Sequence, residues 1–149
     1  MDKLNTHFKG VFYGFTLRHT KAHFARAIME AVACIVRRNM ETLQELGIRV
    51  EEIRTLGGGA RSAVWKQIEA DITQRPVLTM KNEEAACLGA AILAGKAVGM
   101  YKSIDEACEK MVLVKKRFEL NHANFETYEK TYQRYVQLYD DLIGVFAKD

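Results

Sequence analysis

Ile53-Arg54-Thr55-Leu56-Gly57-Gly58-Gly59-Ala60-Arg61-Ser62-Ala63-Val64-Trp65-Lys66-Gln67-Ile68-Glu69-Ala70-Asp71-Ile72 is the stretch on which the fold turns. Its first four residues have strand character and stop abruptly at three glycines. Ser62 then stands where it can cap a helix that buries Val64, Trp65, Ile68 and Ile72 and reaches about Thr73. The only proline, Pro76, opens a second short strand, Val77-Leu78-Thr79-Met80. Strand, helix, strand in that order implies parallel pairing through a right-handed crossover. A turn at the end of such a strand is where ligands gather in open parallel sheets. Glycines let the backbone pass through positive φ and approach a ligand with no Cβ between. The helix N-terminus behind them offers unpaired N–H groups and a partial positive charge, which suits a phosphate. Taken alone, Gly-Gly-Gly is more often just a tight turn. It lacks the Gly-Lys-Ser/Thr ending of a P-loop and the register of Gly-x-Gly-x-x-Gly.

Working outward, a long helix is expected from about Thr20 to Leu46, with Thr20 as N-cap and Gly47 as its stop. Before it, Gly10-Val11-Phe12-Tyr13-Gly14-Phe15 reads as a loop with a short extended piece. Downstream, Asn82 is expected to cap a helix rich in small residues, Ala85 to Val98. Gly89 inside that helix costs ~1 kcal/mol against alanine, so a close packing contact is expected there. Ser103 with Glu106 has the spacing of a capping box for a short helix through Met111. An extended piece over Val112 to Val114 and a final helix from about Asn121 to Phe146 complete the chain. Lys115-Lys116-Arg117 reads as a solvated strand end. The expected class is α/β, one domain over residues 1–149, helix-rich with few short parallel strands.

Composition narrows the possible roles. The 149 residues are 48% hydrophobic and 28% charged, the balance of a globular domain. A net charge of +3, from 22 basic and 19 acidic residues spread along the chain, gives no basic stripe for nucleic acid. Cys34, Cys87 and Cys108 are odd in number and far apart, as free thiols of a reducing compartment would be. No Cys or His pair has zinc-ligand spacing, no apolar run reaches the ~20 residues of a membrane span, and the N-terminus lacks a signal peptide's apolar stretch. A cytoplasmic protein without membrane or nucleic-acid partners is expected.

The segment from Leu56 to Ile72 resembles the adenosine-binding motif of the FGGY carbohydrate kinases. Pro76-Val77 followed by Glu84-Ala85-Ala86-Cys87-Leu88-Gly89-Ala90-Ala91-Ile92-Leu93-Ala94-Gly95 is similar to that family's next strand and helix. Gly10 to Phe15, seven residues, and then His23-Phe24-Ala25-Arg26-Ala27-Ile28-Met29-Glu30 resembles the family's second signature, with Phe15 where a smaller aliphatic residue is usual. The tyrosines at 128, 132, 135 and 139 resemble the closing helix of the xylulose kinase branch. The likeness spans about residues 9 to 143, with the motifs in family order.

The resemblance implies a partial actin-like ATPase (ribonuclease H-like) lobe. It implies that Gly57, Gly58, Gly59 and Ala60 line the α-phosphate and ribose of ATP, with Ser62 against the adenine. The intact enzyme would use Mg2+ to move the γ-phosphate of ATP to a sugar hydroxyl, D-xylulose being the sugar pointed to. Trp65 is expected in the core rather than as an adenine platform, and His23 and Glu30 in structural roles. His7, His19 and His122 are expected at the surface, and the tyrosines in a helix packed with hydroxyls at its rim. The family's first two phosphate loops and its aspartate base have no counterpart here, so no catalytic residue is expected and the chain alone should be inactive. In the family this lobe's sheet begins with strands that precede residue 1, so self-association through an exposed sheet edge is expected. A non-catalytic nucleotide-binding or interaction module of the same fold is the alternative. Another actin-like ATPase is a third, against which the second signature stands.

Overall fold

The computed structural model describes residues 9–146, so His7 lies outside the described residues. Helix α1 spans Lys21–Glu45 and strand β1 Ile53–Thr55. A 3-10 turn, Gly58–Arg61, leads into α2, Ala63–Thr73, and β2, Val77–Met80, follows. Helices α3 (Ala85–Ala97) and α4 (Ile104–Met111), strand β3 (Val114–Phe118), a 3-10 turn at His122–Asn124 and α5 (Phe125–Phe146) complete it. The sheet order is β1-β2-β3, with β1 and β2 parallel.

The third strand corrects the sequence reading. β3 pairs antiparallel to β2, Val77 opposite Phe118 and Thr79 opposite Lys116, so the sheet is mixed. Lys115, Lys116 and Arg117 therefore sit within a strand and not at its end, although all three are exposed as expected. β3 is held by its ladder with β2 and by Phe118, its one buried side chain.

α2 is the middle of the molecule. Ile68 and Ile72 pack with Ala33 and Cys34 of α1 and with Tyr128 and Tyr132 of α5. On its other side Ala70 meets Val77, Phe118 and Ile53 of the sheet. Between two layers even polar residues are enclosed. Asp71 is 2% exposed, and its carboxylate takes N–H groups from Gln67 Nε2 (2.8 Å), the Asn121 backbone (2.8 Å) and Asn124 Nδ2 (2.8 Å). It thus ties α2 to the β3–α5 connection, a fixed role and not that of a free base. Val64 departs from the expected core, being 61% exposed on the first turn of α2.

α1 starts as expected, after Thr20. The cap partner is His23, whose Nδ1 accepts the Thr20 N–H at 3.1 Å, and His19 does the same for Thr16 at 2.9 Å. Glu30 accepts from Arg26 Nε at 2.8 Å. His23 thus closes the start of α1 and Glu30 pairs along it, contacts that fit the structural roles expected of them. The tyrosine stripe packs on α1, with Arg37 stacked on Tyr132 at 3.9 Å and Arg38 on Tyr139 at 3.7 Å. The Tyr132 hydroxyl donates to Glu41 and Arg26 donates to the Tyr128 hydroxyl.

Three local expectations fail. α3 has Glu84 as N-cap without a side-chain bond, and the Asn82 amide instead faces the Met111 carbonyl, donating at 3.5 Å. A Cβ at Gly89 would meet nothing within 4 Å, whereas one at Gly95 would lie 2.7 Å from the Tyr101 ring. Gly95 is therefore the glycine that permits close packing on α3. Ser103 caps α4 through Glu106 N (3.1 Å), but the Glu106 carboxylate closes on Lys102 N (2.6 Å) rather than returning to Ser103.

Candidate nucleotide site

β1 ends at Thr55, and the chain turns at Gly57, whose φ of 77° and ψ of −166° belong to a region essentially reserved for glycine. The other two glycines do different things. A Cβ at Gly58 would meet nothing within 4 Å, so that position is open to an approaching group. One at Gly59 would stand 3.5 Å from the Trp65 ring, so Gly59 lies flat on the indole. Ala60 N donates to the Gly57 carbonyl at 3.1 Å and closes the turn. Ser62 Oγ accepts from Trp65 N at 3.3 Å, the N-cap read from the sequence.

Trp65 is half-buried beneath the turn, and its indole nitrogen is buried without a hydrogen-bond partner among the described residues. Its neighbour Lys66 was not foreseen. Lys66 is 2% exposed and reaches under the turn to donate to Thr55 Oγ1 at 3.3 Å and Glu69 Oε2 at 2.5 Å. A buried pair with a hydroxyl to complete it fixes register more than it adds stability. Here it registers the first turns of α2 over the end of β1.

In front of this turn lies a cleft of ≈ 340 Å³. Thr55, Thr79, Lys116 and Phe118 of the sheet line it, facing Ala60 and Arg61 of the turn. Arg61 Nε donates to Glu83 Oε2 at 2.7 Å, and Lys115 Nζ stands 3.5 Å from Glu83 Oε1. The Arg61 guanidinium holds the Glu83 carboxyl below the usual carboxylate range, with Lys115 helping. Of the residues singled out in the sequence, Ala60 lines the cleft, while Gly57, Gly58, Gly59 and Ser62 form the turn and the helix cap beside it; Glu83, Lys115 and Lys116 join Arg61 there from segments far apart in the chain. Arg61 was visible inside the motif; nothing local in the sequence announces Glu83 or β3 as its neighbours.

Cationic side chains beside a helix N-terminus, at the carboxyl ends of two parallel strands, are the kind of surroundings that suit an anion. The model of the FGGY family of carbohydrate kinases, C-terminal domain, matches residues 3–98, more than half of the chain. The chain belongs to that family. The FGGY lobe is 36% identical to the xylulose kinase of Staphylococcus epidermidis over 131 residues, 88% of this chain and 26% of that protein. With the glycerol kinase of Nitratidesulfovibrio vulgaris it shares 41% over 123 residues, 82% of this chain and 24% of that one. The crystal structure of the xylulose kinase of Rhodospirillum rubrum superimposes with a TM-score of 0.83 at 32% identity, over 94% of this chain and 28% of that one. With the family goes the actin-like ATPase fold expected above. The FGGY lobe spans about a quarter of the length of the curated relatives it matches.

Proposed function

We propose that this chain is the adenosine-binding part of an ATP-dependent carbohydrate kinase, with Gly57, Gly58, Gly59 and Ala60 against the α-phosphate and ribose and Ser62 beside the adenine. The observation that carries it is the turn itself. Gly57 adopts a glycine-only conformation and Gly58 faces open space, and the turn they belong to reaches a cleft with three cationic side chains through Ala60 and Arg61. In the intact enzyme the γ-phosphate of ATP passes to a sugar hydroxyl, and this lobe's share is to hold the nucleotide in line for transfer. D-xylulose is the proposed sugar, supported by the two xylulose kinases above. The glycerol kinase match, at 41% identity, shows that this lobe is shared across substrates. Sugar choice is accordingly proposed to be made elsewhere in the intact enzyme.

The chain alone is proposed to be inactive. Asp71 has its carboxylate committed to three donors that tie α2 to the β3–α5 connection, which supports reading it as a structural residue and not as a base. Mg2+, which neutralises charge on the transferring phosphates, is proposed to take its protein ligands from the rest of the intact enzyme. None of the described helices is long and apolar enough to cross a membrane. Self-association through β1 belongs to the same proposal, since β1 has β2 on one side only. A strictly monomeric protein in concentrated sedimentation runs would count against it.

The decisive experiment is a titration with ATP and ADP, with and without magnesium, followed by Trp65 fluorescence. Saturable binding that Gly58→Val abolishes, with the thermal midpoint unchanged, is expected because a side chain at 58 obstructs only an incoming ligand. No saturation at millimolar nucleotide would instead favour a non-catalytic interaction module.

A further inference from the structure

We propose that Arg61 and Lys115 are phosphate-binding residues of the glycine-turn cleft, and that Glu83 is an internal counter-ion which a bound phosphate displaces. This rests on the nucleotide role proposed above and adds to it the side chains that carry the charge.

The turn from Gly57 to Ala60 has no charged side chain of its own. The first one after it is Arg61, which ends the 3-10 turn with its side chain 70% exposed. Its guanidinium is occupied by Glu83, 22 residues further on, and the second Glu83 oxygen is faced by Lys115 of β3. One carboxylate therefore gathers the turn after β1, the connection after β2, and β3. With Lys116, the cleft holds three cations against this one acid. That imbalance leaves net positive charge where the fold already directs a helix N-terminus.

A carboxylate and a phosphate present the same pair of oxygens to a guanidinium fork, so either can satisfy Arg61. The phosphate brings more charge and a third oxygen, within reach of Lys115. An exposed ion pair is held only weakly against water, so exchanging its acid for a phosphate costs little. The space in front of the turn is open as well: a Cβ at Gly57 or Gly58 would meet nothing within 4 Å, so no side chain there blocks an incoming phosphate. The Arg61–Glu83 pair links the turn to the β2–α3 connection, and its exchange for a phosphate would release that link.

Glu83→Gln tests this, keeping the shape and removing the charge, with near-ultraviolet circular dichroism of Trp65 to verify the fold. ADP and inorganic pyrophosphate serve as probes, read by Trp65 fluorescence and by the NMR signal of the Arg61 Nε–H. Glu83→Gln should tighten both probes by about three- to five-fold. Arg61→Gln should weaken them by about ten-fold. In the Arg61→Gln background the gain from Glu83→Gln should shrink, and bound probe should move the Nε–H signal in the wild type. ADP affinity that is equal in wild type and Glu83→Gln, yet abolished by Gly58→Val, would overturn the counter-ion and leave the nucleotide role standing. Tighter pyrophosphate binding in Glu83→Gln with no ADP binding in either protein would do the reverse. Binding of neither probe to either protein would overturn both.

Discussion

α2 and α3 each follow a short parallel strand, and they have changed places with respect to what their compositions predict. α2 carries Lys66, Glu69 and Asp71, yet seven of its 11 residues are buried. α3 has Lys96 as its single charge, yet only Ile92 and Gly95 of its 13 residues are buried, and Leu93 is 60% exposed. A helix apolar all round is ordinarily a buried one. The difference lies in the neighbours and not in the helices. α2 has a layer on each side and a partner for every enclosed charge, whereas α3 packs chiefly on α4 and the loop that carries Tyr101.

The comparison can be broken most sharply in the buried core. Ile72→Ala, with Ile72 fully buried between α1 and α5, should cost about 4 kcal/mol by urea unfolding. A loss below 1 kcal/mol would mean that the layer collapses onto the gap and that α2 is not the rigid centre. A second test uses Cys34, in the same cluster. Burial, with Glu30 adding to it, pushes its thiol from 9.0 up to about 12. The folded protein thus prefers the protonated form more than the unfolded chain does. Its contribution is whole below pH 9 and declines by about 1.4 kcal/mol per pH unit above it, until the folded thiol ionises near 12. The stability difference between wild type and Cys34→Ala should follow that slope in an alkaline titration; a flat difference would show the site to be wet. The smallest effect belongs to the other helix. Leu93→Ala on α3 should change the unfolding free energy by less than about 0.5 kcal/mol. A larger loss would show that α3 is covered in solution, and sedimentation of the same variant would tell whether by a second copy.

The β1–turn–α2–β2 unit was legible because each boundary has a local chemical cause. Three glycines stop the strand, Ser62 accepts the Trp65 N–H, and Pro76 precedes the second strand. β3 was not legible beyond its first residue. Four of its five residues are exposed and three are cations, so its alternation carries almost no apolar signal, and Phe118 is its one buried side chain. The burial of Lys66 and Asp71 was hidden for a related reason. Helical periodicity ranks residues by polarity, while these two are enclosed because Thr55, Glu69, Asn121 and Asn124 are placed to satisfy them. At the site, the glycine turn could be read and its electrostatics could not. Arg61 finds its acid 22 residues away and shares it with a strand that the pattern did not show.

The pairing of α1 with α5 has a consequence for the chain as it is made. Arg26 meets Tyr128 across 102 residues of sequence. At a synthesis rate of about 5–20 residues per second, α1 emerges about 5–20 s before the helix that covers it. During that interval the α1 surface that later receives the tyrosines is open to whatever else is in the cell. Within this lobe, α1 is therefore the helix most in need of a chaperone during synthesis, until α5 arrives to cover it.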